Sequence, residues 1–254
     1  MVSKEEAVSN SNAASKSLSA ISLMFAGIVG ATLGLGLWLL IHPVFSDPAE
    51  LRTLSASSTA EETLAAYSLK FQGDLRNHAI DYGLLGLTLG IVMGLISGGS
   101  RRAIASISSG FCGAIGGALG GLACTAGLWM AYEAGDQAVV ILGLSLENMA
   151  MTMLSRAAGW GLTGFGAGFG LCLAVAGIPF GFKGAIGGAV GGVAASMFYT
   201  FVSAYAFPLA TSFGVIPDTP TEKIIWVVLG GLLVGLCIAL ATGSREKKAR
   251  PVPN

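Results

Sequence analysis

The chain has 254 residues, of which 38 are glycine, about twice the usual share of roughly 7%. Hydrophobic residues make up 53% and charged residues only 11%, with a mean hydropathy of +0.73. A soluble domain carries about 25% charge, so a water-solvated globular surface is excluded. A net charge of zero also removes the electrostatic basis for nucleic-acid binding.

A membrane-crossing helix needs about 20 mostly apolar residues, because the hydrocarbon core is ~30 Å thick. A polar tail over 1–18 is followed by six such runs, near 19–42, 79–98, 103–131, 151–177, 182–207 and 223–243. The expectation is an all-α, polytopic membrane protein with a six-helix domain over 19–243 and a basic tail over 244–254. The first run exceeds the 7–15 apolar residues of a secretory signal and ends in Leu40-Ile41-His42-Pro43 without a small-residue cleavage site, so it reads as a retained helix.

Between the first two runs, Thr59-Ala60-Glu61-Glu62 has the form of a capping box. Leu64, Tyr67, Phe71, Leu75 and His78 follow at helical spacing, giving an amphipathic helix near 59–78. It either lies on the bilayer or extends the second span outward. Asp74, Arg76, His78 and Asp81 gather where it meets the membrane and form, with Glu147, a candidate polar cluster at the outer face. His42 and His78 stand at the outer ends of the first two spans and could approach each other.

The third run contains Gly113–Gly121, GAIGGALGG, and the fifth contains Gly184–Gly192, GAIGGAVGG. A fainter copy in the first run keeps Gly27, Gly30 and Gly34. Gly86 and Gly90 in the second run align with Gly164 and Gly168 in the fourth and Gly231 and Gly235 in the sixth. Gly113, Gly117 and Gly121 form a one-face ridge, as do Gly184, Gly188 and Gly192. Apolar burial does not drive helices together in lipid, so small residues that allow backbones to touch take over. Glycine-zipper packing and a pseudo-threefold hairpin repeat, with Gly117 falling on Gly188, are the expectation; for the third hairpin, general glycine richness explains the likeness equally well.

Residues 138–154 are apolar enough to suggest a seventh span but include Glu147 and Asn148. With six spans, Lys4, Lys16, Arg101, Arg102, Lys183, Arg245, Lys247, Lys248 and Arg250 lie on one side, nine of the 14 basic residues. That side is then cytoplasmic, of a plasma or inner membrane, because basic loops stay inside. The segment near 138–154 is therefore interfacial or an extension of the fourth helix. Thr219-Pro220-Thr221-Glu222 repeats the capping pattern before the last span.

Chemistry is poorly represented. Gly159-Trp160-Gly161-Leu162-Thr163-Gly164 has dinucleotide-loop spacing, but it lies inside an apolar run with no acid about 20 residues on. Cys112, Cys124, Cys172 and Cys237 have no C-x-x-C spacing, so no metal or cofactor is expected. The deep polar groups are expected to be hydroxyls alone: Thr32, Thr88, Ser106, Ser109, Thr163 and Thr200. With no deep acid or histidine to activate them, neither an enzyme nor an ion-coupled transporter is expected. The reading that remains is a non-catalytic scaffold or accessory subunit whose partners are the lipid bilayer and another membrane protein or a second copy of itself. A passive pore or uncoupled solute transporter is the alternative.

Overall fold

The computed structural model describes residues 19–53, 55, 58–142, 146–207, 215–217 and 219–243. Both tails lie outside these residues, and so do the side chains of 60, 64, 131–149 and 151, including Glu147. Among the described residues the helices are α1 (Ala20–Ile41), α2 (Ala49–Thr53), α3 (Ala60–Ser97), α4 (Arg102–Leu142), α5 (Leu146–Ala176), α6 (Ile178–Ala206) and α7 (Pro220–Gly243). Every one but α2 is long and apolar enough to cross a membrane.

Two segments that the sequence leaves open are decided by helix length. The 38 residues of α3 rise roughly 57 Å, nearly twice the hydrocarbon thickness. The amphipathic segment is therefore continuous with the second span and projects from it. Its start is the expected capping box: the Thr59 N–H donates to Glu62 Oε2 at 2.8 Å, and the Glu62 N–H donates to Thr59 Oγ1 at 3.2 Å. Residues 138–154 are divided, since α4 runs to Leu142 and α5 begins at Leu146. Among the described residues, 138–142 continue α4 and 146–154 belong to α5.

Each spanning helix packs on the next, and α7 returns to α1, closing a ring in which α3 also meets α5. The helix ends carrying Ala20 and Gly243 share one end, here called proximal. Close approach is concentrated at glycines. A Cβ on Gly86 would overlap the Gly113 carbonyl and one on Gly113 the Gly86 carbonyl; Gly164 and Gly188, Gly168 and Gly184, and Gly27 and Gly231 are reciprocal in the same way. Gly90 abuts Ser109, Gly121 abuts His78, and Gly235 abuts Leu23.

Adjacent glycines serve different neighbours, because successive residues point about 100° apart around a helix. Gly117 and Gly121 face α3, whereas Gly116 and Gly120 face the Leu162 and Gly159 carbonyls of α5. Gly188 and Gly192 face α5, whereas Gly187 and Gly191 face the Cys237 and Leu233 carbonyls of α7. In α1, Gly27 faces α7, while Gly30 and Gly34 face Leu89 and Thr88 of α3. The opposite edges of α4 and α6 expose Ile104, Ile107, Phe111, Ile115, Ile186 and Val190.

The two nearly identical peptides do not seat alike. Gly117 abuts the Tyr82 carbonyl, but its counterpart Gly188 abuts Gly164, and it is Gly192 that meets the Trp160 carbonyl. Tyr82 and Trp160 occupy the same buried aromatic layer, so relative to that layer the second copy is shifted by four residues, one turn. Measured from that layer, Gly192 rather than Gly188 stands where Gly117 does.

Candidate functional site

The middle of the ring is filled by rings. Tyr82 of α3, Trp160 of α5 and Trp226 of α7 are fully buried. Trp226 meets Tyr82 edge-on at 5.6 Å and Trp160 at 5.3 Å between centroids. Gly230 gives Trp160 its place, since a Cβ there would overlap the indole. Among the described residues the indole N–H groups of Trp38, Trp160 and Trp226 meet no hydrogen-bond partner.

The hydroxyls expected at depth mostly turn back on their own helices. Thr32, Thr88, Thr163 and Thr200 donate to Ile28, Leu84, Gly159 and Ser196 carbonyls at 2.8–2.9 Å, and Ser106 donates to Arg102 at 2.6 Å. Such local bonds satisfy a hydroxyl inside an apolar bundle without a partner helix. Ser109 differs, since its hydroxyl reaches from α4 to the Ala167 carbonyl of α5 at 2.7 Å.

Three ionisable side chains are also buried inside the bundle. Asp81 is 1% exposed, Arg156 2% and Glu222 0%. Two of these are explained by local structure. Glu222 caps its own helix: Oε2 accepts from Thr219 Oγ1 at 2.8 Å and from the Thr219 N–H at 3.3 Å, and Ser203 Oγ lies 3.4 Å from Oε1. Arg156 donates from Nε to the Val215 carbonyl at 3.3 Å and lies over the Tyr199 ring at 5.2 Å, fixing the chain before α7.

Asp81 belongs to a different assembly, at the distal end. Residues 42–47 form a strap that climbs along one face of α3. His42 Nδ1 lies 3.3 Å from Asp81 Oδ1 and 3.1 Å from Oδ2; among the described residues Oδ2 meets no hydrogen-bond donor in good geometry. The Phe45 N–H donates to Asn77 Oδ1 at 2.9 Å while Asn77 Nδ2 donates back to the Phe45 carbonyl at 2.8 Å. Arg76 lies over the Phe45 ring at 5.4 Å, and Lys70 reaches Asp47 at 3.5 Å. Positions 70, 77 and 81 share a face because they are seven and four residues apart.

The strap's base is braced from two other helices. Trp38 of α1 packs against the His42 ring at 5.0 Å, and Lys223 Nζ of α7 stands over Trp38 at 4.7 Å. Burial, and next the Lys223 charge, hold His42 below its ordinary pKa, opposed in part by Asp74.

The expected outer cluster thus separates into pairs. Asp81 goes to His42, Asp74 to Lys70 at 3.0 Å, Arg76 to Phe45, and His78 to Thr125 Oγ1 of α4 at 2.8 Å. The two histidines do not pair with each other; Glu147 falls outside the described side chains. Sequence reading missed Asn77 and Lys223. The 70–77–81 spacing was a signal for the first, whereas nothing local ties Lys223 to His42.

Among the described residues no three of His, Cys, Asp and Glu come together as a metal-binding group. Comparison with family models, curated proteins and solved structures finds no match.

Proposed function

We propose that this protein is a non-catalytic membrane scaffold or accessory subunit whose six helices are held by glycine-mediated packing. The observation that carries the reading is the closed axis, where Tyr82, Trp160 and Trp226 meet edge to edge with glycine backbones sealed around them. A conducting path must present polar groups through the bilayer, and the hydroxyls instead turn back on their own carbonyls.

On this reading the ring is a pseudo-threefold repeat of hairpins, α3–α4, α5–α6 and α7–α1, and the glycine doublets form zippers on both flanks of α4 and α6. Both termini are cytoplasmic, in a plasma or inner membrane, by the bias of basic residues. The exposed isoleucine and phenylalanine edges face lipid, another membrane protein or a second copy. Reporter fusions at Ser100 and at the C-terminus give the same cytoplasmic signal if this orientation holds.

A passive pore is the second reading. It is favoured by the buried indole N–H groups of Trp160 and Trp226, which meet no acceptor among the described residues and which a file of water would satisfy. Purified protein in liposomes separates the two. The scaffold gives no protein-dependent flux of ions or small solutes. Flux that a bulky replacement at Thr88 or Thr163 blocks overturns it in favour of the pore.

A further inference from the structure

We propose that the outer groove of α5, where it runs between α4 and α6 to the proximal end, is a binding site for an anionic phospholipid. The headgroup phosphate meets Arg101 and Lys183, and an acyl chain lies on Phe165 and Phe169. The groove follows from the 100° step between successive helix residues. Gly166 and Gly170 of α5 abut the Cys112 and Ser108 carbonyls of α4, while Gly164 and Gly168 abut Gly188 and Gly184 of α6. Phe165 and Phe169 fall between these two seams and face out of the bundle. The floor is lower than its walls: Phe165 is 40% exposed, against 66% for Phe111 of α4 and 54% for Phe182 of α6. Phe165 and Phe169 stack at 6.4 Å, 6° from parallel, and Phe182 meets Phe169 edge-on at 5.5 Å. The three rings make a continuous apolar ladder.

The proximal mouth of this groove is basic from both sides. Arg101, on the turn before α4, donates from Nη1 to the Ala174 carbonyl of α5 at 3.2 Å, which lays its guanidinium across the foot of the groove. A guanidinium has five N–H donors in a planar fork that matches a phosphate, and this bond uses one of them. Arg102 is adjacent and exposed, and Lys183 stands exposed on α6 beside Phe182. None of the three makes an ion pair among the described residues, and every described acidic side chain lies at the distal end. Positive charge at the mouth is therefore left for an anion from outside the chain.

The two parts are spaced for one leaflet. The nine residues from Phe165 to Ala174 rise roughly 14 Å, close to half of the ~30 Å hydrocarbon thickness. A soluble phosphate would use the mouth and leave the ladder bare; a lipid uses both. Basic pockets between membrane helices take anionic headgroups for this reason.

The inference goes beyond the scaffold reading and holds equally for a pore, because the groove is on the outside of the bundle and lipid binding is measured without reference to flux. The test is native mass spectrometry of the full chain in detergent, titrated with phosphatidylglycerol or phosphatidylcholine of the same acyl chains. Wild type should bind the first phosphatidylglycerol about tenfold more tightly than phosphatidylcholine, or better. Arg101→Gln and Lys183→Gln should each weaken phosphatidylglycerol about fivefold, the factor for roughly 1 kcal/mol per basic residue near the surface, and leave phosphatidylcholine unchanged. Phe165→Ala should weaken both lipids alike. Arg52→Gln removes an exposed cation on α2 and should change neither. Lys183→Gln carries the charge test by itself if Arg101→Gln does not fold. Five results would each overturn the site. They are equal binding of the two lipids by wild type, a phosphatidylglycerol preference that survives both charge substitutions, the same loss in Arg52→Gln, unchanged binding in Phe165→Ala, and displacement of phosphatidylglycerol by inorganic phosphate alone.

Discussion

The two ends of α3 are held in different ways. Its proximal half, from Tyr82 to Gly94, meets its neighbours through backbone: Gly86, Gly90 and Gly94 lie against Gly113, Ser109 and Ser106. Its distal half is held by side-chain pairs with the strap, through Lys70, Arg76, Asn77 and Asp81. Backbone contacts of the first kind contain nothing that titrates and leave no room for water. Side-chain pairs of the second kind exchange with water at modest net cost, about 0.5–1.5 kcal/mol per hydrogen bond. One continuous helix is therefore locked at one end and adjustable at the other.

The contrast can be tested from its strongest contact downward. Trp160→Ala empties the aromatic layer and should cost about 3–5 kcal/mol, the range for large aromatic truncations in a packed core. Thermal unfolding in detergent would report it, and a change under about 1 kcal/mol would mean that the layer collapses freely. Gly188→Leu forces a side chain against the Gly164 carbonyl. Its expected cost is about 1–3 kcal/mol, because overpacking must move backbone. Gly36→Leu is the matched control on α1, where a Cβ meets nothing within 4 Å, and its melting point should be unchanged. Equal melting of the Gly188 and Gly36 variants would misplace the seam.

At the distal end the effects should be smaller and local. Asn77→Ala removes both bonds to Phe45 and should cost about 1–2 kcal/mol in strap protection, with little change in global melting. If it lowers melting as much as Gly188→Leu does, the distal half is as integral as the proximal half and the contrast fails. Lys70→Ala removes a half-buried i,i+4 pair with Asp74 and the longer contact with Asp47, and should cost under about 1 kcal/mol, less in high salt. A salt-insensitive loss above 1 kcal/mol would show that Lys70 acts through packing.

Hydropathy, capping boxes and glycine spacing were legible in the sequence because each is a property of neighbours within about one turn. They determined six long helices and the starts at Thr59 and Thr219. Register was not legible, and the physical reason is periodicity. A ridge of glycines every fourth residue looks the same after sliding by one turn, so the glycine spacing of Gly184–Gly192 does not by itself name its partners on the neighbouring helix. Tyr82, Trp160 and Trp226 do not repeat, and their packing around the axis picks one seating, displaced from the alignment of the peptides. The same holds for charge. A sequence places Asp81 at a helix position near the membrane surface; only the packing of α1, α3 and α7 around it decides that its carboxyl is dry, that His42 faces it and that Lys223 stands behind Trp38.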